Sequence, residues 1–249
     1  FKGGIMRGGS SRLADALVRA LWAHGGVVLK SHPVEKILIE GGRAVGVVAR
    51  GKTFRARNFV ASSLIPRHTF LDLVGSERLD ASFVEKVSAY KPKTEALFGV
   101  HVAHNAMPRF RAEEWDPAVR DAFAIVCAYE TLDDVKSDMH DIRNGIAPAR
   151  PKISHHTVTM LDPSQAPEGC HVSLLWIFAP NELKDGGIDG WREFAEPYGE
   201  RVLDVWSEYA PGIKGTIVDW FTHSPVDTWE LIPSMWLGDR HHGEYLPEQ

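Results

Sequence analysis

The stretch "VVLKSHPVEKILIEGGRAVGVVARG", residues 27–51, limits what this chain can fold into more than any other part of it. "VEKILIE" and "RAVGVVAR" are β-rich runs separated only by Gly41-Gly42. Gly-Gly suits a two-residue hairpin turn because both positions tolerate positive φ. Arg50-Gly51-Lys52 marks a second reversal into "KTFRARN", so three antiparallel strands form a meander. Pro33 stands just ahead of it, with no N–H and a restraint on the residue before it, and so ends whatever precedes it.

What precedes it reads as a helix and a strand. Ser10 or Ser11 is placed to cap a helix running to about His24, and Gly25-Gly26 offers the left-handed residue that ends one. Leu13, Ala16, Leu17, Ala20 and Leu21 make one apolar stripe at helical spacing. "GVVL" (residues 26–29) and, after the meander, "NFVAS" (58–62) are short apolar runs of the kind found in strands buried on both faces. The predicted order is therefore helix, strand, meander, strand.

From Ile65 the character changes. "IPRHTFLDLVG" and "ASFVEKVSAY" read as helical, as do segments around 112–123, 132–142 and 198–209, the last ended by Pro211-Gly212. "TEALFGVHVA" (94–103), residues 171–178 and "GTIVDWFTHS" (215–224) read as strands. Seven of the eight tryptophans follow residue 110, so the aromatic weight lies in this second part. Phe98, Trp176, Phe178, Trp220 and Phe221 on its strands are candidates to line an apolar cavity, with ordinary core packing as the other reading.

Several chemistries find little support. "GGIMRGGSS" precedes a helix, but Gly9 stands where a P-loop needs lysine, and no strand leads into it. Twelve histidines include His155-His156, His241-His242 and His101-x-x-His104. Neighbours on a strand point to opposite faces, so the adjacent pairs do not converge on one ion, and no metal site is expected. Cys127, in "AIVCAY", reads as a buried, inert thiol, and no G-x-S-x-G elbow is present. A net charge of −5 gives no electrostatic case for nucleic acid. Two cysteines cannot frame a disulfide scaffold, so a reducing, cytoplasmic compartment is the default. The chain opens on Phe1 without an initiator Met and stops after "HHGEYLPEQ", and both ends read as cuts through a longer polypeptide.

The run "GGSSRLADALVRALWAHGGVVLKSHPVEKILIEGGRAVGVVARGKTFRARNFVASSLIPRHTFLDLVG" resembles the phytoene desaturase-like FAD-dependent oxidoreductases. Within them it is most similar to the pyridine nucleotide-disulfide oxidoreductase domain 2-like branch. "DPSQAPEGCHVSLLWIFAP", "RVLDVWSEYAPGI", "THSPVDTWE" and "GDRHHGEYLPEQ" are similar to later elements of the same group.

The resemblance implies an α/β (α+β mixed) chain. A partial glutathione reductase-like FAD domain with its β-meander would occupy residues 1–64. A substrate domain of mixed β-sheet covered by helices would occupy 65–223, and 224–249 would begin the return to the FAD domain. It implies FAD as cofactor, with the first meander strand passing the adenine at Val34; Pro33, Ala61 and Ser62 are the other expected cofactor contacts. It implies hydride removal from a small apolar, unsaturated or amine-like substrate, as in amine oxidase-like enzymes, and leaves room for peripheral membrane contact. No acid/base residue carries over, so the catalytic residues stay unassigned. The family's G-x-G-x-x-G turn and its late glycine-rich flavin segment have no match in these residues, so the chain reads as an internal fragment that alone would hold FAD weakly. The rival reading is a non-catalytic binding module for an apolar ligand or protein partner.

Overall fold

The structure, a computed structural model, describes residues 4–245. Gly3 of the glycine cluster and the last four residues of "GDRHHGEYLPEQ" lie outside them. The described residues build two sheets, one of three strands and one of five, and each of these strands pairs antiparallel. The larger sheet is thus not the mixed sheet expected. Each of its strands pairs antiparallel with its neighbours, which leaves no place for a parallel pair.

The meander forms as its turns dictate. β1 (Val34–Glu40), β2 (Arg43–Ala49) and β3 (Lys52–Arg55) pair in that order. Gly41 and Gly42 both take positive φ, 55° and 76°, and Arg50 and Gly51 repeat the device at the second turn. Gly46 in mid-strand is required for another reason: a Cβ there would lie 2.3 Å from the Phe54 carbonyl oxygen.

The elements around the meander depart from expectation. α1 (Ser11–Ala23) forms, and Gly25 at φ 78° ends it, but Ser10 is helical and its side chain makes no capping bond. The apolar stripe of α1 faces outward, with Leu17 64% exposed and no residue of the helix buried. Residues 26–29 and 58–62 carry no ladder, and Phe59 is 75% exposed. A short doubly buried strand exists only by pairing with neighbours, and among the described residues neither run has one.

The second part holds the core. A wide π-type helical segment, Arg67–Gly75, and α2 (Ala81–Ser88) lead into β4 (Glu95–His104). β5 (Ala124–Cys127), β6 (Ile153–Thr157), β7 (His171–Pro180) and β8 (Ile217–His223) complete a sheet of order β5-β6-β7-β4-β8. The stretch expected to be helical at 112–123 forms two short 3-10 turns instead. Pro117 begins the second, and Asp116 caps it by accepting from the Ala118 N–H. α3 (Leu132–Arg143) begins with a capping box between Thr131 and Asp134.

α4 (Trp191–Tyr209) is two turns longer than its sequence signal and runs through Pro197. Pro197 removes one backbone bond and ordinarily breaks a helix. Here Trp191, Ala195, Tyr198, Val202 and Trp206 recur at helical spacing and are all buried against the sheet. Burying side chains of this size contributes about 1.5–3 kcal/mol each, which outweighs the proline. Trp191 donates its indole N–H to the Pro180 carbonyl and Tyr198 its hydroxyl to the Pro148 carbonyl, so both bury their polar ends paired. α5 (Pro225–Leu231) follows β8 behind a second capping box, Ser224 with Asp227.

Candidate functional site

Because side chains alternate along a strand, the five-stranded sheet has two unlike faces. Phe98, Val100, Val102, Leu175, Ile177 and Ile153 point to the α4 side and are buried there. The other face carries two rows that cross all five strands. One reads Val126, Ser154, Trp176, Gly99, His223, and the next Ala124, His156, Leu174, His101, Phe221. Leu97 pairs with Phe178 beyond the first row.

This open face divides the five aromatic candidates. Trp176 and Phe178 are each 42% exposed on it, and Phe221 is 61% exposed. Phe98 is instead fully buried, stacked at 5.4 Å on Trp191 and edge-on at 5.1 Å to Tyr198. Trp220 also turns toward α4, where a Cβ on Gly199 would meet its ring at 2.7 Å. Strand parity places both opposite Trp176 and Phe221, Phe98 within the core and Trp220 half-buried against it.

Residues that the sequence did not mark as cavity-lining complete the face. His101 stacks on Phe221 with ring centroids 4.6 Å apart and planes almost parallel. Its imidazole is held below the usual histidine range by burial, and His223 adds to the effect. His156 is lowered by burial too, and its Nε2 lies 3.0 Å from Ser154 Oγ. At the β5–β6–β7 end a cavity of about 310 Å³ has a floor of Leu97, Val126, Trp176 and Phe178, with Tyr129 and Arg240 at its rim. Arg240 lies over the Phe178 ring at 5.2 Å and reaches Glu95 at 3.3 Å. Strand alternation in β4 and β6 was the signal for Gly99, His101 and Ser154; Arg240 arrives from a distant loop and has none.

The opposite face hides a polar chain. His104 Nδ1 lies 2.6 Å from the Ala106 carbonyl, which can only accept, so Nδ1 carries the proton and Nε2 accepts from Ser173 Oγ at 2.8 Å. His155 Nε2 then faces Ser173 Oγ at 3.2 Å and Thr157 Oγ1 at 3.0 Å. Burial, reinforced by His156 and His104, pushes the His155 pKa down to about 3, so it stays neutral. His101 and His104 fall on opposite faces, and among the described residues no group of three or more His, Cys, Asp or Glu could hold a metal ion. Cys127 is buried, and burial raises its thiol to about 12.

The expected cofactor contacts lie elsewhere, around the meander. Val34 opens β1, the outer strand of its sheet, whose other edge pairs with no strand among the described residues. Val34, Pro33, Ala61 and Ser62 are all exposed. Ser62 Oγ is 2.7 Å from Thr69 Oγ1, which fixes this loop against the π-type segment. No helix among the described residues is long and apolar enough to cross a membrane.

No protein-family model matches the chain. Among curated proteins it is 31% identical to one of the limonene dehydrogenase subunits of Castellaniella defragrans, over 98% of this chain and 46% of that protein. It is 29% identical to the rat pyridine nucleotide-disulfide oxidoreductase domain-containing protein 2, over 98% of this chain and 42% of the relative. It is 28% identical to a phytoene desaturase of Cereibacter sphaeroides, over 92% and 42%. The chain thus spans less than half the length of these relatives. Its fold is shared by a crystal structure of an oxidoreductase from Methanosarcina mazei, with TM-score 0.59 and 21% identity over 88% of this chain and 43% of that one. A Pyrococcus furiosus protein shares it too, with TM-score 0.54 and 16% identity over 87% of this chain and 43% of that one. The resemblance to desaturase-type oxidoreductases read from the sequence holds against these named relatives.

Proposed function

We propose that this chain carries the substrate face and part of the cofactor domain of an FAD-dependent oxidoreductase acting on an apolar, unsaturated substrate. The observation that carries this reading is the two-faced sheet. One side is sealed by α4, while the other presents Trp176, Phe178 and Phe221 to solvent beside a cavity of about 310 Å³. Large apolar side chains grouped on one face mark a binding surface rather than a core. The relatives' names, limonene dehydrogenase and phytoene desaturase, both point to unsaturated hydrocarbons as the substrate class.

In this reading residues 1–64 belong to the FAD domain, 65–223 to the substrate domain and 224–249 to the return. The residues around β1 fit such a group. Val34 lies on the edge of β1 that pairs with no strand among the described residues, where a backbone can bond an adenine, and Pro33, Val34, Ala61 and Ser62 are all exposed. The exposed stripe of α1 supports the same assignment, because an apolar helix face of that extent is ordinarily covered. Bound flavin supplies hydride acceptance. The chain's own residues orient the substrate on the aromatic face, and His101, whose imidazole burial holds below the usual histidine range, can take a proton on the face itself.

Thermal-shift measurements on the purified chain with isoprenoid hydrocarbons test this reading. Saturable stabilisation by unsaturated hydrocarbons is expected, and no response to any of them removes its basis. These 249 residues are expected to hold FAD weakly, since no glycine-rich phosphate loop of the P-loop or G-x-G-x-x-G type is among them. Tight, stoichiometric yellow flavin on the pure chain would contradict that part.

A further inference from the structure

The cavity of about 310 Å³ on the open face has an apolar floor, yet two of its lining residues carry hydrogen-bond donors that the fold leaves unused. Leu97, Val126, Trp176 and Phe178 make the floor, and Tyr129, Lys152, Ser154 and Arg240 complete the lining. Lys152 is committed elsewhere, to the Arg150 carbonyl at 3.1 Å and to Asp138 at 3.5 Å. Ser154 Oγ has His156 Nε2 within hydrogen-bond distance. Arg240 donates from Nη2 to Glu95 at 3.3 Å, but its Nη1 is buried with no hydrogen-bond partner among the described residues. A buried guanidinium N–H left unpaired is costly, because it has given up water without a replacement.

Tyr129 is the second unused donor. Val126 lines the cavity while Cys127 is buried in the core, so unbroken alternation would send Ala128 to the cavity and Tyr129 to the core. Ala128 instead takes φ 71°, a left-handed conformation that strains a residue with a Cβ, and is buried in the core beside Cys127. This break brings Tyr129 to the cavity wall with Val126, its hydroxyl in no hydrogen bond among the described residues. Burial raises the phenol above its usual range, and Asp138 and Glu95 add to the effect, so it keeps its proton and stays a donor. Strain held at one residue so that the next lines a cavity is a feature of binding sites.

The chemistry of a fitting ligand follows. Arginine only donates and a protonated phenol can donate, so the pair calls for an oxygen that accepts twice. The neighbours decide its charge. Glu95 is shared by Arg240 and Lys93, at 3.3 and 3.4 Å, and Lys152 is matched by Asp138 and Asp134, at 3.5 and 3.8 Å. Arg240, Lys93 and Lys152 thus face Glu95, Asp138 and Asp134, and no positive charge is left over for a ligand carboxylate.

We propose that this cavity binds an unsaturated, otherwise apolar molecule through a neutral carbonyl oxygen, which accepts from the Tyr129 hydroxyl and the Arg240 guanidinium while the hydrocarbon part lies on Trp176 and Phe178. This deepens the reading of the open face as the substrate face and rests on it. It adds unsaturated ketones and aldehydes to the class that the face accepts, and makes Tyr129 and Arg240 specificity-determining residues.

Limonene, carvone and perillic acid test it, because they share one carbon skeleton and carry no oxygen, a conjugated ketone and a carboxylate in turn. Isothermal titration calorimetry measures each ligand on the purified chain and on Tyr129→Phe and Arg240→Gln, and the melting temperature of every protein is recorded. Saturable binding of carvone to wild type is expected. Each substitution should weaken carvone by about tenfold, the loss of one net hydrogen bond, and leave limonene unchanged. Tyr129→Phe removes an oxygen that the fold does not use, so its melting temperature should hold, which keeps the test decisive even where Arg240→Gln destabilises the chain. Carvone affinity unchanged in Tyr129→Phe, or carvone and limonene weakened equally, overturns the proposal. Perillic acid, ionised at neutral pH, binding more tightly than carvone overturns the neutral acceptor. Limonene binding without carvone overturns the carbonyl site alone and leaves the open-face reading standing. No binding of any of the three contradicts the open-face reading itself.

Discussion

Ser173 Oγ lies 2.8 Å from His104 Nε2, and this one contact sets the protonation of a buried polar chain. His104 is committed through Nδ1 to the Ala106 carbonyl, so its Nε2 must accept, and Ser173 in turn offers its oxygen to His155. Neither imidazole can gain a proton without losing a partner or adding an unpaired charge under α4.

The pH dependence follows from the depressed histidines. His155 falls to about 3 in the fold against about 6.5 unfolded, so below pH 6.5 the unfolded chain binds the extra proton. Its contribution to stability is complete above pH 6.5 and is lost as pH falls toward 3. Between pH 7 and 4.5 this one group should cost about 2–3 kcal/mol. Burial moves His104, and on the open face His101 and His156, in the same direction. Urea midpoints at the two pH values measure the loss, and the gap between wild type and His155→Phe isolates the share of His155. Equal midpoint shifts in both proteins would contradict it.

Lys152 and Asp138 are both buried and lie 3.5 Å apart, with the lysine also bonded to the Arg150 carbonyl. Burial raises the Asp138 carboxyl even though Lys152 pulls it down. Lys152→Met should therefore strand a buried carboxylate and cost about 3–5 kcal/mol. Lys152→Met with Asp138→Leu should recover most of that, because replacing both charges is close to neutral. Denaturant unfolding of the singles and the double reads the coupling directly, and additive losses would contradict it.

The two cysteines should separate by access. Cys127 is buried at the end of β5 with its thiol raised to about 12, whereas Cys170 is half-buried just ahead of β7. Labelling with a chromogenic disulfide reagent at pH 8 should count one thiol in the native chain and two in urea. Two fast thiols under native conditions would mean that the β5 edge opens.

The meander was legible because its chemistry is local: Gly41-Gly42 and Arg50-Gly51 specify their turns whatever surrounds them. Residues 26–29 and 58–62 were misread because a buried strand is defined by partners that its own residues do not name. β5 and β6 went unread for the same reason, with only four or five residues each and His155-His156 diluting the apolar signal. The start of α4 was hidden by Pro197, whose local penalty is outweighed by the packing of Trp191 and Tyr198. At the candidate site, residue type pointed to an apolar cavity: Trp176 and Phe178 line the one on the open face, whereas Phe221 stands on the same face outside it. Phe98 and Trp220 were not separable from them until strand parity placed them on the other face.

The central claim is that the open side of the five-stranded sheet, and not the α4 side, receives the apolar substrate. Aromatic NMR of the chain with saturating limonene tests it most directly, by contacts between ligand protons and assigned rings. Intermolecular contacts to Trp176, Phe178 and Phe221 are expected, with none to Phe98, Trp191 or Tyr198. Contacts confined to the buried rings, or none at all at saturation, would contradict it.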